Sequence, residues 1–139
     1  MKLFVDTEFN GHGGELISMA VVTDDNRHWY QVRTIPIKLH PWVAEHVIPL
    51  LGQKPIEDAM FRRSFHAFMR HMAGATVIAD WPSDLMFFFD TLLDVVPGAA
   101  LGVSLRAELV PDSDCHPVTP HNALSDAYAL RDWYMRVNP

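Results

Sequence analysis

The sequence predicts one α/β domain. Three antiparallel strands come first, helices and strands then alternate, and the resulting mixed sheet is flanked by helices. Three observations carry that expectation. Residues 2–35 fall into three strand-like runs separated by turn formers. Two later helical stretches are each followed by a short apolar run. Residues 121–136 read as a closing helix. At 139 residues, with 49% hydrophobic and 20% charged residues, the chain is long and apolar enough to bury a core without disulfides or a structural metal.

The elements follow in order. Residues 2–8 form the first strand, and Asn10, Gly11, Gly13 and Gly14 mark a loop. Residues 15–22 are nearly continuously apolar and read as a second strand. Asp24-Asp25-Asn26 signals a hairpin into a third strand over 28–35. Pro36 to Pro55 is a mixed stretch with a short helix near 42–47. From 56 to 72, Phe61, Phe65, Phe68 and Met72 recur at helical spacing, a stripe that belongs in a core. Residues 76–79 are a short buried strand. A helix over 83–96 begins with Ser83 as N-cap and ends at Pro97-Gly98. Residues 101–105 read as the fifth strand and 106–120 as a Pro-rich loop. There is no internal repeat and no linker, so residues 1–139 are expected to be a single domain.

Several classes are disfavoured. The net charge of −6 argues against gripping long nucleic acid by phosphate neutralisation alone. It does not exclude a nuclease, because carboxylates gathered for cations inflate the negative count. A lone cysteine, Cys115, excludes an internal disulfide and a Cys-rich zinc site. No leader pattern and no spanning apolar run are visible, so a cytoplasmic protein without membrane association is expected.

The most informative feature is Asp6-Thr7-Glu8 on the first strand. Residues two apart on an extended segment share a face, so Asp6 and Glu8 stand side by side. Like charges held that close are unfavourable unless a cation sits between them, and hard oxygen donors suit Mg²⁺ or Mn²⁺. Asp84 begins a later helix, Asp126 opens the last one, and His121 precedes Asp126 by five positions. Each pattern alone is common, and acidic residues after strands also serve as turn formers. Their order and placement carry the weight.

Asp6-Thr7-Glu8 on strand one, an Asp opening the helix after strand four, and His121 with Asp126 at the last helix together resemble the DEDDh family of 3′–5′ exonucleases. That family belongs to the ribonuclease H-like superfamily and includes polymerase proofreading subunits, oligoribonuclease and ribonuclease T. Within it the sequence looks most like the small mycobacterial-type exoribonuclease-like group. The D-x-E on the first strand separates it from ribonuclease H itself. The resemblance implies two divalent ions, Mg²⁺ or Mn²⁺. Asp6 would bridge them, Glu8 and Asp126 would share the ion on the side of the attacking water, and Asp84 would support the other. The family has Asn four residues before this Asp; here that position is Asp80, which either assists Asp84 or replaces it as ligand. His121 would be the general base, an imidazole being ordinarily neutral and able to accept a proton at cellular pH.

Substrate contacts are expected from Thr7, Phe9 and Asn10 beside Glu8, and from Asp80 and Trp81, with Phe9, Trp42 or Trp81 available to stack on a base. Arg62, His66 and Arg70 form a stripe that either tracks a phosphate backbone or is a solvated face. The resemblance implies binding of single-stranded RNA or DNA 3′ ends, RNA preferred. A homodimer is left open, since related enzymes are often dimers. The rival readings are a DNA-directed proofreading-type subunit and a catalytically inactive nucleic-acid-binding module. The filled catalytic-type positions speak against the second.

Overall fold

The computed structural model describes residues 1–93 and 100–139. Its elements are β1 (Lys2–Phe9), β2 (Leu16–Thr23), β3 (His28–Val32), α1 (Pro41–His46), α2 (Asp58–Met69), β4 (Thr76–Ala79), α3 (Pro82–Thr91), β5 (Arg106–Leu109) and α4 (Ala123–Val137). One five-stranded sheet has the order β3-β2-β1-β4-β5. β1 and β2 are antiparallel, as are β2 and β3, whereas β4 runs parallel to both β1 and β5. The expected α/β mixed sheet is therefore present, and it is compatible with a ribonuclease H-like arrangement.

Helices cover both faces, which is why every residue of β2 is buried. Side-chain alternation sorts β1 between them. Leu3 and Val5 join Phe61, Phe65 and Phe88 of α2 and α3 in one core. Phe4 packs with Leu130 and Tyr134 of α4 on the other face. Asp6 and Glu8 share the parity of Phe4, so they emerge on the α4 face just past its apolar packing. β1 pairs with β4 only over Lys2–Phe4, leaving both carboxylates beyond the ladder. A register shift between Glu8 and Phe9 ends the regular pairing with β2, as bulges beside functional sites commonly do.

Several boundaries differ from expectation. The fifth strand is Arg106–Leu109, not residues 101–105. Leu101 and Leu105 pack against the core instead of pairing, while the mostly exposed edge strand pairs Thr76 with Arg106 and Ala79 with Leu109. Short, charged edges carry little apolar pattern to read. α3 opens at Pro82 with Trp81, not Ser83, as its N-cap, and it closes at Thr91, with Leu92 as its C-cap and Leu93 bridged to Ala100. The expected continuation to 96 and the stop at Pro97-Gly98 lie outside the described residues. β3 stops at Val32, because Arg33 pairs with Ile56.

Arg62 and His66 of the expected stripe make bonds within the fold. Arg62 pairs with Asp58 and Asp90 and donates to the Asp90 and Leu93 carbonyls. His66 lies 3.0 Å from the Thr91 carbonyl oxygen. Together they tie α2 to the end of α3. Among the described residues no helix is long and apolar enough to cross a membrane.

Candidate active site

The carboxylates converge where β1 and β4 end, the edge at which open α/β sheets place ligands. Oxygens of Asp6, Glu8 and Asp126 lie within 4.8 Å of one another, and so do oxygens of Asp6, Asp80 and Asp84. Asp6 belongs to both groups. β1 supplies Asp6 and Glu8. Asp80 follows β4 directly, Asp84 sits in the first turn of α3, and Asp126 in the first turn of α4. Two helix N-termini thus point positive ends toward the cluster.

Each carboxylate is oriented by its surroundings. Asp84 is 2% exposed, and its Oδ1 accepts from the Thr7 N–H at 3.1 Å and the Thr7 hydroxyl at 2.5 Å. Asp80 Oδ2 accepts from the Ser113 hydroxyl at 2.9 Å. Asp126 Oδ2 accepts from the His121 N–H at 3.0 Å. Asp6 Oδ2 and Asp126 Oδ1 are buried without a hydrogen-bond partner. Buried polar atoms are normally satisfied. Orphaned carboxylate oxygens in an all-oxygen donor set fit a hard divalent cation.

The electrostatics agree with that fit. Burial first, then Asp84, Asp126, Glu8 and Asp80, raise the Asp6 carboxyl well above the usual range. Glu8 is pushed up to about 8, by burial and then by Asp126 and Asp84. Burial raises Asp84 to about 7 even though the Thr7 hydroxyl opposes it, with Asp80 adding repulsion. Burial takes Asp126 to about 6, opposed by the His121 N–H and assisted by Asp80. Groups that hold protons more tightly when folded contribute full stability only below their unfolded values, near pH 4. That stability is lost as pH rises through about 6, 7 and 8. Thermal melting in EDTA should therefore show the melting temperature falling between about pH 5 and pH 9. Mn²⁺ should suppress the fall, and a flat or rising curve in EDTA would contradict the convergence of these charges.

Beside the cluster lies a cavity of about 400 Å³ lined by Glu8, Phe9, Gly11, His12, His40, Trp42, Val43, Trp81 and His121. Its volume is in the range of small-molecule sites. His121 is exposed, with its backbone in the left-handed region at φ 67°, where His is among the better-tolerated residues. Trp81 is 59% exposed and precedes α3. Phe9 packs against Phe87 at 5.4 Å between ring centres.

Two residues expected to touch substrate make hydrogen bonds within the fold. The Thr7 side chain is buried and orients Asp84, because strand alternation turns it away from the Asp6 and Glu8 face. The Asn10 amide donates to the Lys38 carbonyl, and its oxygen accepts the His40 N–H, both at 2.8 Å. Asn10 thereby holds the cavity wall. Gly14 allows this loop to close, since a Cβ there would stand 1.9 Å from the Asn10 carbonyl oxygen. His12 and His40 line the cavity without having been singled out by sequence. The one cue was Pro41 at the start of a short helix, which fixes His40 as its cap.

No family model matches the chain. Two curated proteins named 3′-5′ exoribonuclease, from two strains of Mycobacterium tuberculosis, are each 47% identical over 55 residues. The match covers 37% of this chain, and the chain spans about a third (33%) of the length of these relatives. A stretch that short cannot contain both Asp6 and Asp126, so the likeness covers part of the carboxylate cluster at most. Over that stretch the chain is similar to exoribonucleases.

Proposed function

We propose that this chain is a single-domain, metal-dependent 3′–5′ exonuclease of the DEDDh type on a ribonuclease H-like fold. It removes nucleoside 5′-monophosphates from the 3′ end of short single-stranded nucleic acid, RNA preferred. The observation that carries this reading is the membership of Asp6 in two carboxylate groups that meet beside an aromatic-walled cavity. The preference for RNA is supported by the name of the mycobacterial relatives.

Asp6 with Glu8 and Asp126 would hold one Mg²⁺ or Mn²⁺, and Asp6 with Asp84, aided by Asp80, the other. When bound, such ions offset the carboxylate charge and stabilise charge developing on a scissile phosphate. The chain's own residues supply the rest. The cavity seats the terminal nucleotide between Phe9 and Trp81. Thr7, Ser113 and the His121 N–H keep the carboxylates aimed. The His121 imidazole, at the cavity wall with Glu8, accepts the proton of the attacking water.

Labelled oligonucleotides test the direction of attack. With Mn²⁺, a 5′ label should give a descending ladder and a 3′ label should release a single nucleoside 5′-monophosphate. A 3′-phosphate should slow the reaction, a chelator should stop it, and a circular single strand should stay intact. Cleavage of the circle, or full activity in excess EDTA, would remove this reading.

A further inference from the structure

We infer that Trp42 is a positioning residue for the His121 imidazole, so that the two side chains act as one unit in hydrolysis; this rests on the exonuclease reading above. The His121 backbone is fixed by its N–H bond to Asp126. Its neighbour Asn122 caps α4 and donates to the Leu50 carbonyl at 2.8 Å. The imidazole itself is exposed, and among the described residues no hydrogen bond reaches it. Two side-chain torsions would let it leave the cavity wall. What stands against it is the Trp42 indole, at 5.0 Å between ring centres and 84° to the imidazole plane. Perpendicular packing of this kind is a preferred aromatic geometry.

Trp42 is itself held, although 45% exposed. His46 stacks on the indole at 4.7 Å and 14°, and its Nδ1 lies 2.9 Å from the Trp42 carbonyl oxygen. His40 Nδ1 accepts the Trp42 N–H at 3.3 Å, and the His40 N–H is bound by Asn10. Val43 and Val47 root this helix in the core. Contacts thus run from the end of β1 through Asn10 and His40 to Trp42 and on to His121. One indole face is covered by His46 and the imidazole takes up further contact area. Trp42 is therefore better arranged to set a ring in place than to receive a base.

The test compares Trp42→Ala, Trp42→Phe, His121→Ala and the Trp42→Ala/His121→Ala double variant, each first shown to melt cooperatively. With Mn²⁺ and a labelled oligonucleotide, Trp42→Ala should lower kcat by about 10- to 100-fold with KM little changed, the scale of a misplaced reacting group. Trp42→Phe should recover most of the loss. In the His121→Ala background, Trp42→Ala should cost nothing more, since residues acting as a unit are not additive. Without metal, NMR of the wild type should show His121 ring protons displaced by the indole ring current, and Trp42→Ala should abolish that displacement. A raised KM with kcat intact would make Trp42 a base contact and overturn the proposal. Additive losses, or undisplaced His121 signals, would do the same. An inactive wild type would remove the exonuclease reading together with the hydrolytic role, while the NMR result would still decide whether Trp42 holds the ring.

Discussion

Asp6→Asn is expected to lower hydrolysis by about 10³-fold or more, the loss of several kcal/mol of charge stabilisation. Asp6 is the carboxylate common to both acidic groups, so its replacement impairs both at once. An amide of the same shape cannot serve as an anionic bridge and turns an N–H₂ toward its neighbours. The same substitution should stabilise the metal-free protein. Ionised Asp6 is opposed by burial and by four neighbouring carboxylates. Removing it should raise the melting temperature near neutral pH. The gain should vanish below about pH 3, where Asp6 is protonated in the folded and unfolded chain alike. The measurement pairs a ladder assay with melting curves in EDTA. Activity within about tenfold of wild type would exclude the shared role.

His121→Ala should lower kcat by about 10²–10⁴-fold, the usual share of a general base. Divalent-ion affinity and KM should change little, because the contact to Asp126 comes from the backbone N–H and survives the substitution. The left-handed backbone at this position makes Ala an imperfect control, so His121→Asn should be tested beside it, Asn tolerating that conformation. Both variants should lose turnover to a similar extent, since neither Ala nor Asn can take up the proton. Calorimetry with Mn²⁺ checks that the ion sites remain. Near-normal turnover in both variants would assign the proton transfer to another group.

What could be read from the chain follows from which features depend on local pattern. Strand alternation put Asp6 and Glu8 on one face, and the structure holds them there. Asp126 was visible because a helix start has its own signals, and the four-residue strand Thr76–Ala79 because it is a bounded apolar run. Asp80 and Asp84 both approach Asp6, so the geometry brings both candidates for the second ligand to the cluster. The internal bonds of Thr7 and Asn10 were not legible because their partners, Asp84 and the segment from Lys38 to His40, lie far away in sequence. The same holds for Arg62, whose carboxylate and carbonyl partners on α3 no helical stripe could reveal. β5 escaped because its strand character comes from pairing with β4 and not from its own side chains.

The central position of β1 has a consequence for how the site is lost. Its pairing with β2 closes a short loop, from Phe9 to Leu16, whereas its pairing with β4 joins Lys2 to Thr76. The longer closure costs roughly 2 kcal/mol more in chain entropy, and it also brings Asp80 and Asp84 against Asp6. The meander of β1, β2 and β3 rests on short-range pairings, and the repulsion of Asp6 by Asp80 and Asp84 is relieved, with the meander intact, when β4 and α3 move away. A fluctuation that peels β4 and α3 from β1 would therefore disarm the carboxylate cluster and leave the meander standing. Local opening of this kind has its own, smaller free energy than global unfolding. Heat or mild denaturant would then silence the site ahead of the fold, with the bonds from Thr7 to Asp84 as the latch that sets the margin.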